Sequence, residues 1–235
     1  MSETKESNYL ITDLEAVSGT LPFDIMNSFR EMEITSAFES KGYTEDVVTT
    51  YFDFGVSGDV LKSRGGYCKF FTSKITVPNE SEVRYFLDYK KDKYTEAKRF
   101  KLECEPSVDE ICAIIGESLR LEPVAISRSD VWHFFMQKVD LEMVFTDRGA
   151  FVDLVLDPTT IENGDTPLQV VFMSLRDRTR AKFGEKVALE HSEKIDECIR
   201  AFDNYMSKIQ HAQKVSSNRY AEVMALVDET QDVQE

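Results

Sequence analysis

Charged and apolar side chains alternate one for one through Lys98-Arg99-Phe100-Lys101-Leu102-Glu103-Cys104-Glu105. Successive side chains of a strand point to opposite faces, so Arg99, Lys101, Glu103 and Glu105 fall on one face, with Phe100, Leu102 and Cys104 on the other. The two-residue period recurs along the chain. Over Phe29 to Phe38 it sets Glu31, Glu33 and Thr35 against Met32, Ile34 and Phe38. Over Glu82 to Lys90 it sets Val83, Tyr85, Leu87 and Tyr89 against Arg84, Phe86, Asp88 and Lys90. Val47 to Phe54 is rich in β-branched and aromatic residues, and Tyr67 to Val77 follows the Gly65-Gly66 turn. Ile126 to Gln137 carries Arg128, Asp130 and Trp132 at period two. Lys138, Asp140 and Glu142 then alternate with Val139, Leu141 and Met143, and Ala150 to Leu156 sets Asp153 against Val152 and Leu154. Turn residues at Gly55-Val56-Ser57-Gly58, Pro78-Asn79-Glu80-Ser81 and Asp147-Arg148-Gly149 separate these runs, as in a meander of antiparallel hairpins.

A helical period interrupts the strands. Ser107 and Glu110 have the spacing of a capping box, and Val108, Ile111, Cys112, Ile114 and Ile115 follow on one face, which predicts a helix ending near Leu119. Near the C-terminus, Ile195, Cys198, Ile199, Phe202, Met206 and Ile209 form a second stripe, and Tyr220, Val223, Met224 and Val227 a third. Residues before Asn8 read as a disordered start, and Asn8 to Asn27 as a lead-in with a short helix near Pro22. Pro158 to Pro167 reads as a loop, and Leu168 to Leu175 fits a strand or a helix start.

The expected fold is therefore α+β: an antiparallel eight-stranded β-barrel, or tunnel, covered by helices, with further helices at the C-terminus. Its expected organisation is a lead-in over residues 1–27, one tunnel domain with helical cover over 28–212, and a C-terminal helix with an acidic tail over 213–235. A closed barrel can carry mixed charges on its inner face if they pair with one another or with a bound polyanion, while helices cover the apolar face. The alternative is a sheet whose charged face is wet, with its carboxylates and cations solvated or paired across strands.

The chain of 235 residues has a net charge of −15, which argues against nonspecific binding of duplex DNA, a mode that needs surplus Lys and Arg. No pair among Cys68, Cys104, Cys112 and Cys198 has CxxC spacing; core thiols in a reducing, intracellular and cytoplasmic setting are expected. No apolar run approaches membrane-spanning length, and the first residues lack the apolar stretch of a secretory signal, so no membrane association is expected. His133 sits among Trp132, Phe134 and Phe135 and is expected to pack in the core.

The order of the charged strands resembles the CYTH, or triphosphate tunnel metalloenzyme, superfamily. Glu31-Met32-Glu33 is similar to its first-strand ExE, Tyr51-Phe52-Asp53 to its YFD segment, and Leu87-Asp88-Tyr89-Lys90 to a strand ending in lysine. Arg99 to Glu105 resembles the following strand, with basic residues and then paired carboxylates. Arg128, Glu142 and Gly149-Ala150-Phe151-Val152-Asp153-Leu154 resemble the closing strands. The resemblance spans about residues 28–156. It implies a metal-dependent hydrolase of a triphosphate: inorganic tripolyphosphate, a nucleoside or thiamine triphosphate, or an RNA 5′ end. It further implies Mg²⁺ or Mn²⁺ as cofactor. Glu31, Glu33 and Glu105 would be catalytic and, with Asp153, would hold the metal. Lys90, Arg99, Lys101 and Arg128 would hold phosphate, with Glu103 and Glu142 as lesser candidates. Hard cations prefer carboxylate oxygens, and a triphosphate needs several cations to hold it.

Departures from the pattern are informative. Thr35 stands where the family's ExExK has lysine, the third strand offers only Lys69 or Lys74 for a usual arginine, and Val155 stands where a second closing carboxylate is common. A noncatalytic barrel acting as a polyphosphate-binding or assembly subunit is the alternative these departures favour. An unrelated α+β interaction protein is a third reading, and the C-terminal stripes leave room for a homodimer.

Overall fold

The computed structural model describes residues 5–12, 37–38, 43–54, 60–77, 80–137, 150–162, 167–215 and 219–232. The strands are β1 (Glu6–Ile11), β2 (Ala37–Phe38), β3 (Thr44–Phe54), β4 (Tyr67–Val77), β5 (Glu80–Lys90), β6 (Lys98–Leu102), β7 (Leu121–Gln137), β8 (Phe151–Glu162), β9 (Leu168–Asp177) and β10 (Ala212–Val215). The helices are α1 (Val60–Ser63), α2 (Val108–Ile115), α3 (Thr179–Phe183), α4 (Glu185–Glu190), α5 (Ser192–Met206) and α6 (Arg219–Asp232). Strands follow one another in the order β10-β1-β9-β8-β7-β3-β4-β5-β6, with β2 beside β7. This is the α+β class expected, an antiparallel sheet with helices. The path holds nine strands rather than eight, and β10 and β6 are its ends among the described residues.

The chain divides into two compact units, each assembled from separated segments. Unit 1 comprises Met1–Thr44, Val131–Pro158 and Val170–Ser217; unit 2 comprises Glu45–Asp130, Thr159–Gln169 and Asn218–Glu235.

Unit 1 is built around β1, which the lead-in reading missed. Its short run pairs on one side with β10 (Asn8 opposite Val215) and on the other with β9 (Ile11 opposite Val171), both antiparallel. Tertiary pairing on both sides, rather than local propensity, makes this segment a strand. Tyr9, Ile11, Val152, Leu154, Val171, Met173 and Leu175 form one apolar layer, packed on Cys198, Ala201, Phe202 and Met206 of α5. The Tyr9 and Phe202 rings meet edge to face with centroids 5.6 Å apart. At the border of this core, Asp203 accepts hydrogen bonds from Ser7 Oγ, Tyr9 Oη and Lys214 Nζ, tying α5 to β1 and β10.

Unit 2 contains the β4–β5 hairpin, in register from Tyr67 opposite Lys90 to Val77 opposite Glu80, followed by β6, where Asp88 faces Arg99. Phe52, Phe54, Cys68, Phe70, Leu87 and Tyr89 bury one side chain in two against Leu61 of α1 and Ile111 of α2. The predicted capping box of α2 forms in full: Ser107 and Glu110 each bond the other's backbone N–H, and Gly116 (φ 73°) ends the helix in the left-handed region. Asp53, fully buried, accepts N–H bonds from Phe54 (2.6 Å), Leu61 (2.7 Å) and Lys62 (3.1 Å), and so anchors the first turn of α1. A Cβ at Gly66 would collide with the carbonyl oxygens of Lys90 and Lys91, so glycine is required where β4 begins beside the end of β5.

Several expectations are corrected. β8 continues through Pro158 to Glu162 instead of stopping at Leu156, because Thr159 and Ile161 remain buried on the same alternation; the proline removes one ladder donor without ending the strand. Residues 168–175 are a strand. β6 ends at Leu102, which leaves Glu103, Cys104 and Glu105 exposed beyond it, so Cys104 is a surface thiol. Cys68 and Cys198 are buried in the core, as expected. Among the described residues no helix is long and apolar enough to cross a membrane. The first-strand segment 29–36, the 138–149 segment and the 163–166 turn lie outside the described residues.

Asp203 supplies a test. Burial pushes its carboxyl up, but the hydrogen bonds and charge of Lys214, with Ser7 and Tyr9, outweigh burial and hold it below the usual aspartate value. A depressed carboxylate stabilises the fold above its unfolded value, near pH ~3.9, and that stabilisation is lost as pH falls through the folded value. Urea unfolding between pH 6 and pH 3 should therefore show native stability falling at the acid end, and Asp203→Asn should remove that part of the fall while lowering stability at pH 6.

Candidate functional site

The register of unit 2 places three charged residues abreast. Asp88 on β5 lies opposite Lys69 on β4 and opposite Arg99 on β6. Arg99 donates to Asp88 from Nε (2.7 Å to Oδ1) and Nη2 (2.7 Å to Oδ2), a bidentate pair. Lys69 Nζ stands 3.7 Å from the same Oδ2. Two cations thus share one carboxylate. Asp88 is nearly buried, with 7% of its side chain exposed, whereas Arg99 has 61% exposed.

Aromatic rings line this row. Phe71 and Phe86 face each other across β4 and β5 with centroids 5.2 Å apart, and the Arg99 guanidinium lies 5.3 Å and 5.6 Å from their centroids. Lys69 Nζ lies 6.0 Å from the Tyr67 ring and 5.7 Å from the Phe71 ring. Burial lowers the Lys69 pKa to about 8; the Asp88 charge opposes this, while Arg219 and Arg99 add to it. Arg99 is held above its ordinary value, chiefly by the hydrogen bonds to Asp88. Burial and then Asp88 raise the Tyr67 phenol, partly countered by Arg99, so it is neutral at physiological pH.

A third cation enters from α6. Arg219 Nη2 donates to Ser129 Oγ (3.2 Å) and Thr159 Oγ1 (2.5 Å), and Tyr51 Oη lies 3.2 Å from Ser127 Oγ in the same neighbourhood. Burial lowers the Arg219 pKa, and hydrogen bonding and charge interaction with Tyr51 oppose it. Tyr220, next in sequence, is buried between Tyr51 and Tyr67, each centroid 5.8 Å away, which fixes the start of the helix.

Unit 1 has a polar cluster of its own. The buried Asp153 carboxylate lies 3.0 Å from His133 Nδ1 and 3.7 Å from Arg178 Nε, and Tyr43 stacks on the His133 ring at 4.3 Å. Arg176 has its Nε buried without a hydrogen-bond partner among the described residues. His133 is the buried residue expected.

The residues singled out from sequence are distributed as follows. Arg99 is in the three-charge row, with Lys90 opposite Tyr67 in the row on one side and exposed Lys101 opposite Phe86 in the row on the other. Arg128 is exposed and pairs with Glu162 at 2.8 Å. Glu103 and Glu105 are exposed past the end of β6. Asp153 belongs to unit 1, where its partners are His133 and Arg178. Glu31, Glu33 and Glu142 lie outside the described residues. Among the described residues no group of three or more His, Cys, Asp or Glu side chains is placed to hold a metal ion. Sequence reasoning missed Asp88 and Arg219. The signal for Asp88 was available, since Lys69 and Asp88 each have apolar neighbours on both sides and Arg99 is followed by Phe100, but aligning them needed the hairpin register. Arg219 carries no periodic signal.

No family model and no curated protein sequence matches the chain. Among solved structures, the chain is similar to the PH1819 protein of Pyrococcus horikoshii OT3 at a TM-score of 0.44 and 13% identity, over 94% of this chain and 99% of that one. It is also similar to a candidate adenylate cyclase (bh2851) of Bacillus halodurans at a TM-score of 0.35 and 8% identity, over 92% of this chain and 93% of that one. Neither likeness assigns an activity.

The lysine offers a direct test of the site's electrostatics. A lysine whose folded pKa is lowered to about 8 binds fewer protons than its unfolded counterpart between that value and about 10.4, so stability rises with pH across that window. Lys69→Met should flatten this rise, measured as the urea midpoint at pH 7.5 against pH 9.5.

Proposed function

We propose that the protein binds a triphosphate at the Lys69–Asp88–Arg99 row of unit 2 and hydrolyses it. The observation that carries this reading is that Lys69 and Arg99 share the single carboxylate of Asp88 in a partly buried, aromatic-lined setting. One positive charge is left over, and a phosphate oxygen completes the balance. The Arg219 charge is felt at Lys69 and adds to the demand for an anion. The sequence resemblance described above supports the same substrate class: inorganic tripolyphosphate, a nucleoside or thiamine triphosphate, or the 5′ end of RNA.

The reading includes Mg²⁺ or Mn²⁺; the sequence pattern alone names Glu31, Glu33, Glu105 and Asp153 as candidate ligands, of which Asp153 is engaged by His133 and Arg178 in unit 1. When bound, the ion would neutralise part of the phosphate chain and polarise its terminal phosphorus. The residues of the row have other work. Arg99, exposed and held in plane by Asp88, presents its remaining N–H groups to a phosphate, and Lys69 supplies a point charge beside it.

A second reading, a noncatalytic polyphosphate-binding or assembly subunit, is favoured by one observation: Asp88, the carboxylate in contact with the cations, is itself committed to them. The same experiment separates the two. Titration calorimetry with tripolyphosphate should give binding that Arg99→Ala weakens by about tenfold to a hundredfold, the equivalent of losing a charge-assisted hydrogen bond. Phosphate release in the presence of Mg²⁺ or Mn²⁺ would select the hydrolase. Binding without release under either metal would select the polyphosphate-binding subunit, and no binding by the native protein would end both the hydrolase and the polyphosphate-binding subunit, leaving the assembly subunit.

A further inference from the structure

We propose that Asp88 is the positioning residue of this site, holding Lys69 and Arg99 in the one arrangement in which both can meet an anion. This rests on the triphosphate reading for its ligand, but the geometry stands apart from it. Asp88 faces both cations in register, bonds Arg99 through both carboxylate oxygens at 2.7 Å, and lies 3.7 Å from Lys69. A bare carboxylate beside a phosphate site repels the ligand, so on charge alone its removal would tighten binding. Its position gives it a second effect of opposite sign. Among the described residues, the groups facing Lys69 are Tyr67 from β4, Asp88 from β5, Arg99 from β6 and Arg219 from α6, with Lys90 and Lys101 in the rows on either side. Tyr67 is neutral at physiological pH, so Asp88 is the one anion among them. Burial and two cations pull the Lys69 pKa down to about 8, and Asp88 is what opposes them. Without that charge Lys69 gives up its proton at lower pH, and the site loses half of its pair of cations where the native site keeps it.

The two effects separate with pH. Below the Lys69 midpoint of both proteins, Asp88→Asn removes repulsion and disturbs Arg99, and the lysine stays charged. Above it, the variant must also take up a proton to bind. For a midpoint that falls by one unit from about 8, the ratio of variant to native dissociation constants should rise about sixfold between pH 6.5 and pH 8.5. A purely structural role for Asp88 would shift both pH values equally.

The experiment has two arms. In the first, the Lys69 side-chain resonance of the ligand-free protein, assigned by its absence in Lys69→Met, is titrated by NMR in native and Asp88→Asn proteins. The expected result is a midpoint at least one unit lower in the variant; an unchanged midpoint overturns the proposal. In the second, calorimetry with tripolyphosphate is run at pH 6.5 and pH 8.5. The expected ratio rises with pH, and the rise should vanish in a Lys69→Arg background, where the cation no longer titrates. A ratio equal at both pH values, or a rise that survives Lys69→Arg, overturns it. Asp88→Ser serves should the amide not fold. If the native protein binds no tripolyphosphate at either pH, the triphosphate reading fails, and the NMR arm still decides the role of Asp88.

Discussion

Asp88 can stand between two cations only because three strands are held in one register. Its sequence neighbours enforce this. Leu87 and Tyr89 are buried among Cys68, Phe70, Leu61 and Ile111. A slip of one residue would turn the carboxylate into that core and bring Leu87 beside Lys69. Burial of large apolar side chains is worth about 1.5–3 kcal/mol each, so the slipped register is strongly disfavoured. The close passage of Gly66 against the Lys90 and Lys91 carbonyls fixes one end of the hairpin, and the Asp53 carboxylate fixes the helix turn that carries Leu61. The core therefore does more than stabilise unit 2: it sets which charges face each other.

Unit 1 uses the same alternation to a different end. Tyr9, Ile11, Met173 and Leu175 pack on α5, and Asp203 locks the border. On the polar side, Asp153 is shared by His133 and Arg178, and both the carboxylate and the imidazole are nearly inaccessible, with 2% and 5% of their side chains exposed. The buried carboxylate draws its partners from within the cluster, as a buried ionic group must. The row in unit 2 is the more open of the two: Arg99, its outermost member, has 61% of its side chain exposed, against 41% for Arg178. A charged group that is both fixed by a buried partner and accessible is what a binding site needs.

Much of the fold was legible because strands write their alternation into sequence. The hairpin of β4 and β5, the capping box of α2 and the stripe of α5 follow from periodicity and caps alone. β1 was not legible, since its six residues become a strand through partners that lie some 160 and 200 residues away along the chain. The site was legible in part. Arg99 was found because it sits in a conspicuous run, yet Lys101 in the same run lies one row away from Asp88 and Glu103 and Glu105 lie past the end of β6, and alternation by itself does not say where a strand stops. Arg128 looked equivalent to Arg99 but pairs with Glu162, on the opposite alternation from Ser127 and Ser129, which meet Tyr51 and Arg219. Period two identifies two faces without naming which one is enclosed. Asp88 needed register, and Arg219 needed the docking of a helix by the tyrosine that follows it.

A chain of net charge −15 is an unexpected host for the polyanion proposed as its ligand, and distance resolves the difficulty. At physiological ionic strength charges beyond about 8 Å are largely screened, so the acidic surface acts mainly on the approach of a ligand. Once a phosphate is in contact, the interaction is decided by groups within a few ångströms. There the balance is two cations against one carboxylate, with the rings of Phe71, Phe86 and Tyr67 close beside them. A lower local dielectric strengthens the attraction and also strains the lysine, whose pKa falls to about 8 for that reason. The burial that would make Lys69 effective toward the proposed phosphate ligand is thus the same burial that brings its proton near to being lost, and a neighbouring carboxylate reconciles the two.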